Sequence, residues 1–303
     1  MMGRRIFASF SGGESSAEMR RRIEVAARPD DEVLTIFANT GEEDERTLAF
    51  VDRCDREFGW NVVWLEAVVH PDDGKGTTHR VVTYETATRG PALFEAMCAK
   101  YGLPGPGFLH CTRELKQRPM ASYLRAIGWE RGNYVTAIGI RADEMDRRHP
   151  DHKALGYVYP LIQAGVRKRD VQASWDAMPF RLSMQEHEGN CRWCWKKSLR
   201  KHLTLCVEAP EVFDTPRHLE RTYAHAGAGD QTRRLFRKNR TTDDLFTLAA
   251  QPFEPFVDQR GKGQQEFDFA PPFDPEMDLG GSCGESCEAY GDERSPDEME
   301  DAA

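Results

Sequence analysis

Over the first 140 residues, short dense apolar runs alternate with amphipathic stretches, a pattern that predicts strands and helices in turn. Residues 4–10 (RRIFASF), 32–38 (EVLTIFA), 61–69 (NVVWLEAVV) and 134–140 (YVTAIGI) read as strands. Residues 15–27, 45–58 (ERTLAFVDRCDREF), 91–101 and 119–127 carry the spacing of helices that bury one face. Buried parallel strands joined by helical crossovers predict an α/β fold with a doubly wound, mostly parallel sheet. Ligands of such sheets sit beyond the carboxyl ends of the strands, which gathers residues 11–16, 39–42 and 139–148 on one edge. Beyond residue 207 the pattern decays. Residues 208–250 read as a helical extension and residues 251–303 as an acidic tail, disordered or loosely docked.

Composition adjusts this picture in three places. The net charge of −9 is concentrated in residues 271–303, which hold 11 acidic residues and one arginine, so the body is close to neutral. A neutral body argues against a general duplex-binding module, and a local basic pocket remains compatible with it. No apolar run approaches the roughly 20 residues that span a bilayer, and the start lacks the form of a signal peptide, so the expected compartment is the cytoplasm, with no membrane partner. The eight cysteines are then expected to be reduced. Cys54 and Cys98 lie on apolar helix faces and read as buried. Cys111, Cys191, Cys194 and Cys206 have polar surroundings, and Cys283 and Cys287 fall in the tail.

Three loops carry candidate chemistry. Ser9, Ser11, Gly12, Gly13, Ser15 and Ser16 lie between a strand and a helix, where glycines permit close backbone approach and hydroxyls and helix amides donate to an anion. The plainer reading is a strand–helix turn with a serine cap. Asn39, Thr40 and Gly41 end the second strand and read equally as contacts for a base or ribose or as an Asx turn capping the next helix. Arg141 and Arg147, or Arg148, follow the fourth strand, where a guanidinium fork suits phosphate or sulfate.

Taken in order, these segments resemble the phosphoadenosine phosphosulfate (PAPS) reductase-like group of the PP-loop ATP pyrophosphatase, or adenine nucleotide alpha hydrolase-like, superfamily, over roughly residues 4–207. The family's SGGxDS signature is matched by Ser11, Gly12, Gly13 and Ser16. Glu14 stands where lysine is common, and Ser15 replaces the aspartate. A glutamate there repels phosphates unless a metal or an arginine compensates. The turn at Asn39–Gly41 and the GIRxxE loop after the fourth strand resemble the family's adenosine and anion contacts. Cys111, with Lys116 and Pro119 behind it, and the Cys191–Cys194 pair 80 residues on resemble the cysteine pattern of sulfonucleotide reductases.

The resemblance implies a Rossmann-like sheet, binding of ATP or an adenylyl sulfate with Mg²⁺, and a 4Fe–4S cluster or Zn²⁺ on Cys111, Cys191, Cys194 and Cys206, or on the first three with the fourth site open to sulfide or substrate. It implies ATP-dependent adenylylation of an acceptor, a nucleic-acid base or a small metabolite, for attack by sulfur or a related nucleophile supplied by a sulfur donor or thiol reductant protein. The alternatives are a sulfonucleotide reductase, with Cys283 or Cys287 as catalytic thiols, and a non-catalytic nucleotide-binding accessory protein, for which Glu14 and Ser15 argue.

Overall fold

The computed structural model describes residues 3–72, 74–227, 232–258 and 274–278. The strands are β1 (Arg5–Ser9), β2 (Glu32–Asn39), β3 (Val63–Val69), β4 (Thr77–Val82), β5 (Val135–Ala137) and β6 (Tyr157–Val158). They form one six-stranded sheet in the order β4-β3-β2-β1-β5-β6. All neighbours pair parallel except β3 and β4. The expected α/β, mostly parallel sheet is therefore present, with an antiparallel edge strand that the sequence reading lacked. Thr77–Val82 (TTHRVV) is mostly solvent-facing, so it has no apolar run to reveal it. The expected fourth strand is shorter than read: only Val135–Ala137 joins the sheet as β5.

Period-two alternation divides the central strands between two cores. Ile6, Ala8, Phe37 and Trp64 face one side, and Phe7, Ile36, Ala38 and Leu65 the other. Burying each of the larger side chains contributes about 1.5–3 kcal/mol. Both faces are covered, which is why these strands read as continuous apolar runs rather than alternating ones.

The first face is covered by α1 (Glu14–Ala26), α2 (Glu45–Phe58) and, later in the chain, α7 (Lys168–Asp176). In α2, Asp44 caps the first turn through the Arg46 amide, and Gly59 at φ 63° ends the helix. The second face is covered by α5 (Arg118–Ala126). It continues from α4 (His110–Thr112) through a π-helical turn, Arg113–Gln117. The expected helix at 119–127 thus begins earlier, and Pro119 stands where α5 takes over from the π-helical turn.

A third core joins α3 (Ala92–Tyr101), α8 (Leu199–Glu208), α9 (Asp214–Tyr223) and α10 (Thr242–Ala249) around Trp193, Phe213 and Phe236. The short α6 (Pro160–Gln163) follows β6. Residues 251–258, expected to be loose, lie along α8: the Phe256 amide donates to Thr204 Oγ1 (2.8 Å), and Arg200 donates to the Glu254 carbonyl (2.9 Å). No helix among the described residues is long and apolar enough to cross a membrane.

Candidate functional site

The strand order dictates where a crevice must open. From β1 the chain runs outward to β2 and β3, then returns to lay β5 on the other side of β1. Crossovers diverge at that switch point, and ligands of doubly wound sheets bind beside it, at the carboxyl ends of strands such as β1 and β5. The turn after β1 and the arginine loop after β5 both lie there.

The turn is built for close approach. Gly12 sits at φ 82°, and a Cβ on it would stand 2.7 Å from Thr47 Cγ2 and 3.1 Å from Val51 Cγ2 of α2. Gly13 at φ −98° occupies ordinary extended backbone, so the conformational demand falls on Gly12 alone. Ser16 Oγ donates to the Gly13 carbonyl (2.9 Å) and accepts from the Ser11 amide (3.2 Å), while its Oγ lies 2.9 Å from Ser11 Oγ. No side chain caps α1, so the serine-cap reading of this turn is not realised. Ser9, Ser15 and Ser16 are buried, and Ser11 is partly exposed.

Arg141 reaches across the crevice from the β5 side and donates through Nη1 to Ser15 Oγ (3.0 Å). Asp143 and Glu144 hold its other edge, at 3.3 and 3.5 Å. Arg147 is buried and pairs with Glu144 at 2.5 Å, whereas Arg148 is exposed. Arg147 therefore braces the loop, and Arg141 is the guanidinium that faces the turn.

Glu14 is held by the protein's own donors. Its carboxylate accepts from Arg181 (3.2 and 3.3 Å) and from the Leu182 amide (3.2 Å), and its carbonyl accepts from Trp175 Nε1 (3.0 Å). An arginine thus neutralises the glutamate from 167 residues away. Nothing local in the sequence marks Arg181 as that partner.

The turn after β2 is occupied by its own protein. Asn39 Nδ2 donates to the buried Glu66 carboxylate (2.6 Å) and to the Thr88 carbonyl (2.9 Å), and its Oδ1 accepts from the Gly41 amide (3.2 Å). Thr40 donates through its amide and hydroxyl to Glu43 (2.8 Å each). A Cβ on Gly41 would meet the Gly90 carbonyl at 2.4 Å, so the close approach here is to backbone. The Asx turn at Asn39 is the geometry observed, while the cap of the next helix is Asp44.

The cysteine turn abuts this edge. Asn190 Nδ2 donates to the Ser11 carbonyl (3.1 Å), and Cys191 bridges to Glu43. The Cys194 amide donates to the Cys191 carbonyl (3.3 Å), which folds the pair into a turn. Lys197, almost wholly buried, ties it with Nζ donating to the carbonyls of Glu188, Cys191 and Arg192 at 2.5, 2.8 and 2.5 Å. Glu42, buried beside it, accepts from Trp193 Nε1 (2.7 Å) and Arg192 (3.0 Å), yet burial raises its pKa above the ordinary carboxylate value.

The other cysteines lie apart from this turn in character. Cys206 is interior to the third core, where burial pushes its thiol up to about 12, and Cys111 packs at the edge of the same core. Cys54 and Cys98 are fully buried, as expected, with their thiols pushed up by burial. Among the described residues no three His, Cys, Asp or Glu side chains gather to hold a metal ion. Of the four cysteines expected to hold a cluster or zinc, Cys206 lies in the third core and Cys111 at its edge, while Cys191 and Cys194 share the turn. No step below uses a cluster or zinc. Cys283 and Cys287 lie outside the described residues.

No protein-family model matches the chain. The nin region protein ORF290 of Escherichia phage lambda, itself uncharacterized, is 31% identical over 291 residues, which cover 93% of this chain and 94% of that protein.

Proposed function

This chain belongs to the family of the phage lambda nin region protein ORF290, and we propose that it is a nucleotide-binding enzyme of the PAPS reductase-like, PP-loop kind that activates an acceptor with ATP. One observation carries the reading: Arg141, delivered by β5, meets Ser15 of the glycine turn delivered by β1, across the crevice at the sheet's switch point. Backbone amides at a helix start and a guanidinium on the opposite wall suit a polyphosphate.

The substrate is Mg²⁺–ATP. An acceptor oxygen attacks the α-phosphorus, a new P–O bond forms, the bond to the β-phosphate bridging oxygen breaks, and pyrophosphate leaves with the electron pair. The turn at residues 11–16 and Arg141 receive the charge that develops on the leaving group. Glu14 does not oppose this, because Arg181 and the Leu182 amide hold its carboxylate.

Calorimetric titration with ATP, followed by a pyrophosphate-release assay over candidate acceptors, tests the proposal. Arg141→Ala is expected to weaken ATP binding by about 1.5–3 kcal/mol, the scale of lost hydrogen bonds to a charged group. Absence of ATP binding defeats the proposal, and binding without pyrophosphate release from any acceptor reduces it to a nucleotide-binding accessory protein. A second reading rests on Cys191, a half-buried thiol that bridges to Glu43 and follows Asn190, whose amide reaches the Ser11 carbonyl: reduction of an adenylyl sulfate, recognised by sulfite release with a dithiol reductant in place of pyrophosphate release from ATP.

A further inference from the structure

Residues 274–278 are an acidic segment seated against the chain's own basic surface. Asp278 takes both edges of Arg200 (2.6 and 2.9 Å), whose side chain is almost wholly buried in α8. Glu276 accepts from Lys238 Nζ (2.8 Å) and lies 3.7 Å from Arg240 Nη2, and Met277 packs against the third core. Exposed ion pairs contribute little, but a shielded, two-pronged pair such as Arg200–Asp278 fixes where the segment lies.

The basic surface continues past this contact. Thr241, the neighbour of Arg240, lines a separate groove of about 280 Å³ between α9 and the segment that precedes α10. Arg217 and Arg221 enter the groove from α9, and Arg233 and Arg234 from the facing segment. Two carboxylates there belong to the groove itself. Asp243 pairs with Arg217 (2.9 Å), and Glu220 accepts from the Thr242 amide (2.9 Å) while burial raises its pKa above the ordinary value. Arg233 donates to the Tyr101 carbonyl.

That leaves two cations over. The exposed guanidinium groups of Arg221 and Arg234 have neither a hydrogen bond nor an ion pair among the described residues, and Asp244 feels Arg234 only at a distance. Across residues 217–241 as a whole, seven Lys or Arg stand against two acidic residues. Such an excess repels itself unless an anion lies against it.

The sequence after Asp278 supplies that anion. Residues 279–303 hold eight acidic residues and one arginine. They leave from Asp278, whose segment already touches Lys238 and Arg240, one residue short of the groove wall. A chain of this length extends to about 80 Å, so reach is no obstacle. The tether also holds the acids near the groove at an effective concentration on the order of millimolar.

We infer that the groove between α9 and residues 232–241 is the docking surface for the chain's own acidic tail, residues 279–303, whose carboxylates meet Arg221 and Arg234. Residues 274–278 are the anchor, and the tail extends the same charge pairing along the surface. Each exposed pair is weak alone, and they act together because the anchor makes the contact intramolecular. The docked tail neutralises the excess positive charge of residues 217–241. The inference does not depend on the chemistry assigned to the glycine turn.

A photo-crosslinker in the full chain, Tyr290→p-benzoylphenylalanine, tests it by irradiation and peptide mass spectrometry. A crosslink within one molecule, to residues 214–241, is expected. Its yield is expected to fall about fivefold or more in about 1 M salt, where charges are screened within about 3 Å. The double variant Arg221→Glu and Arg234→Glu, which alters two exposed side chains, is expected to lower the yield as far without moving the urea midpoint. No crosslink, a crosslink confined to another part of the chain, or one between two copies overturns the inference. A yield insensitive to salt overturns it equally, whatever the double variant does.

Discussion

The turns after β1 and β2 carry the same mark in the sequence, a glycine at the end of a buried strand followed by a helix, and the structure uses them in opposite ways. In the first, Gly12 is pressed against α2, no side chain caps the helix that follows, and an arginine arrives from the neighbouring strand. In the second, Asn39, Thr40 and Gly41 spend their polar groups on Glu66, Thr88, Glu43 and the backbone beside Gly90. A glycine at a strand end therefore announces a close approach without saying what approaches.

That contrast is open to mutation. The largest effect is expected at Gly12→Ala, which forces a left-handed residue and a collision with Thr47 together, for a loss of about 2–5 kcal/mol of stability. Urea unfolding measures it, and a midpoint near that of the parent chain contradicts the packing described. Asn39→Ala separates the two turns more cleanly. It removes a donor from the buried Glu66 and is expected to cost about 1.5–3 kcal/mol of stability. Its ATP affinity is expected to change by less than about threefold. A larger loss of affinity would return this turn to the nucleotide site.

A third region sharpens the comparison: in α8, His202 is 3% exposed and lies in the third core between Phe213 and Phe236. Burial and the Lys197 charge push the His202 pKa down to about 3 from the ordinary 6.5. The unfolded chain then binds a proton that the folded one refuses, so this group lowers stability as pH falls from 6.5 towards 3. The slope is on the order of 1.4 kcal/mol per pH unit. His110, held down to about 4 by burial and by Arg113 and Arg233, acts in the same direction. His202→Phe is expected to flatten its share of the slope in unfolding measured from pH 7 to pH 4, and an unchanged slope contradicts the burial described.

The sequence made some of this legible and hid the rest for physical reasons. Four central strands and the loops at their ends follow from apolar runs, since strands buried on both faces are dense in apolar residues. Cys54 and Cys98 were legible as core for the same reason. Edge strand β4 was not, because one exposed face removes the apolar run. The partners that define the crevice were also hidden: Arg181 meets Glu14 and Asn190 meets Ser11 across more than 160 residues. Local periodicity carries no record of such pairings.

The central claim is that nucleotide enters between β1 and β5 rather than at the turn after β2. Amide hydrogen exchange with and without Mg²⁺–ATP tests it most directly. The account predicts new protection at the backbone amides of residues 12–16 and little change at residues 39–41. Protection confined to residues 39–41, or none at either turn at saturating ATP, would contradict it.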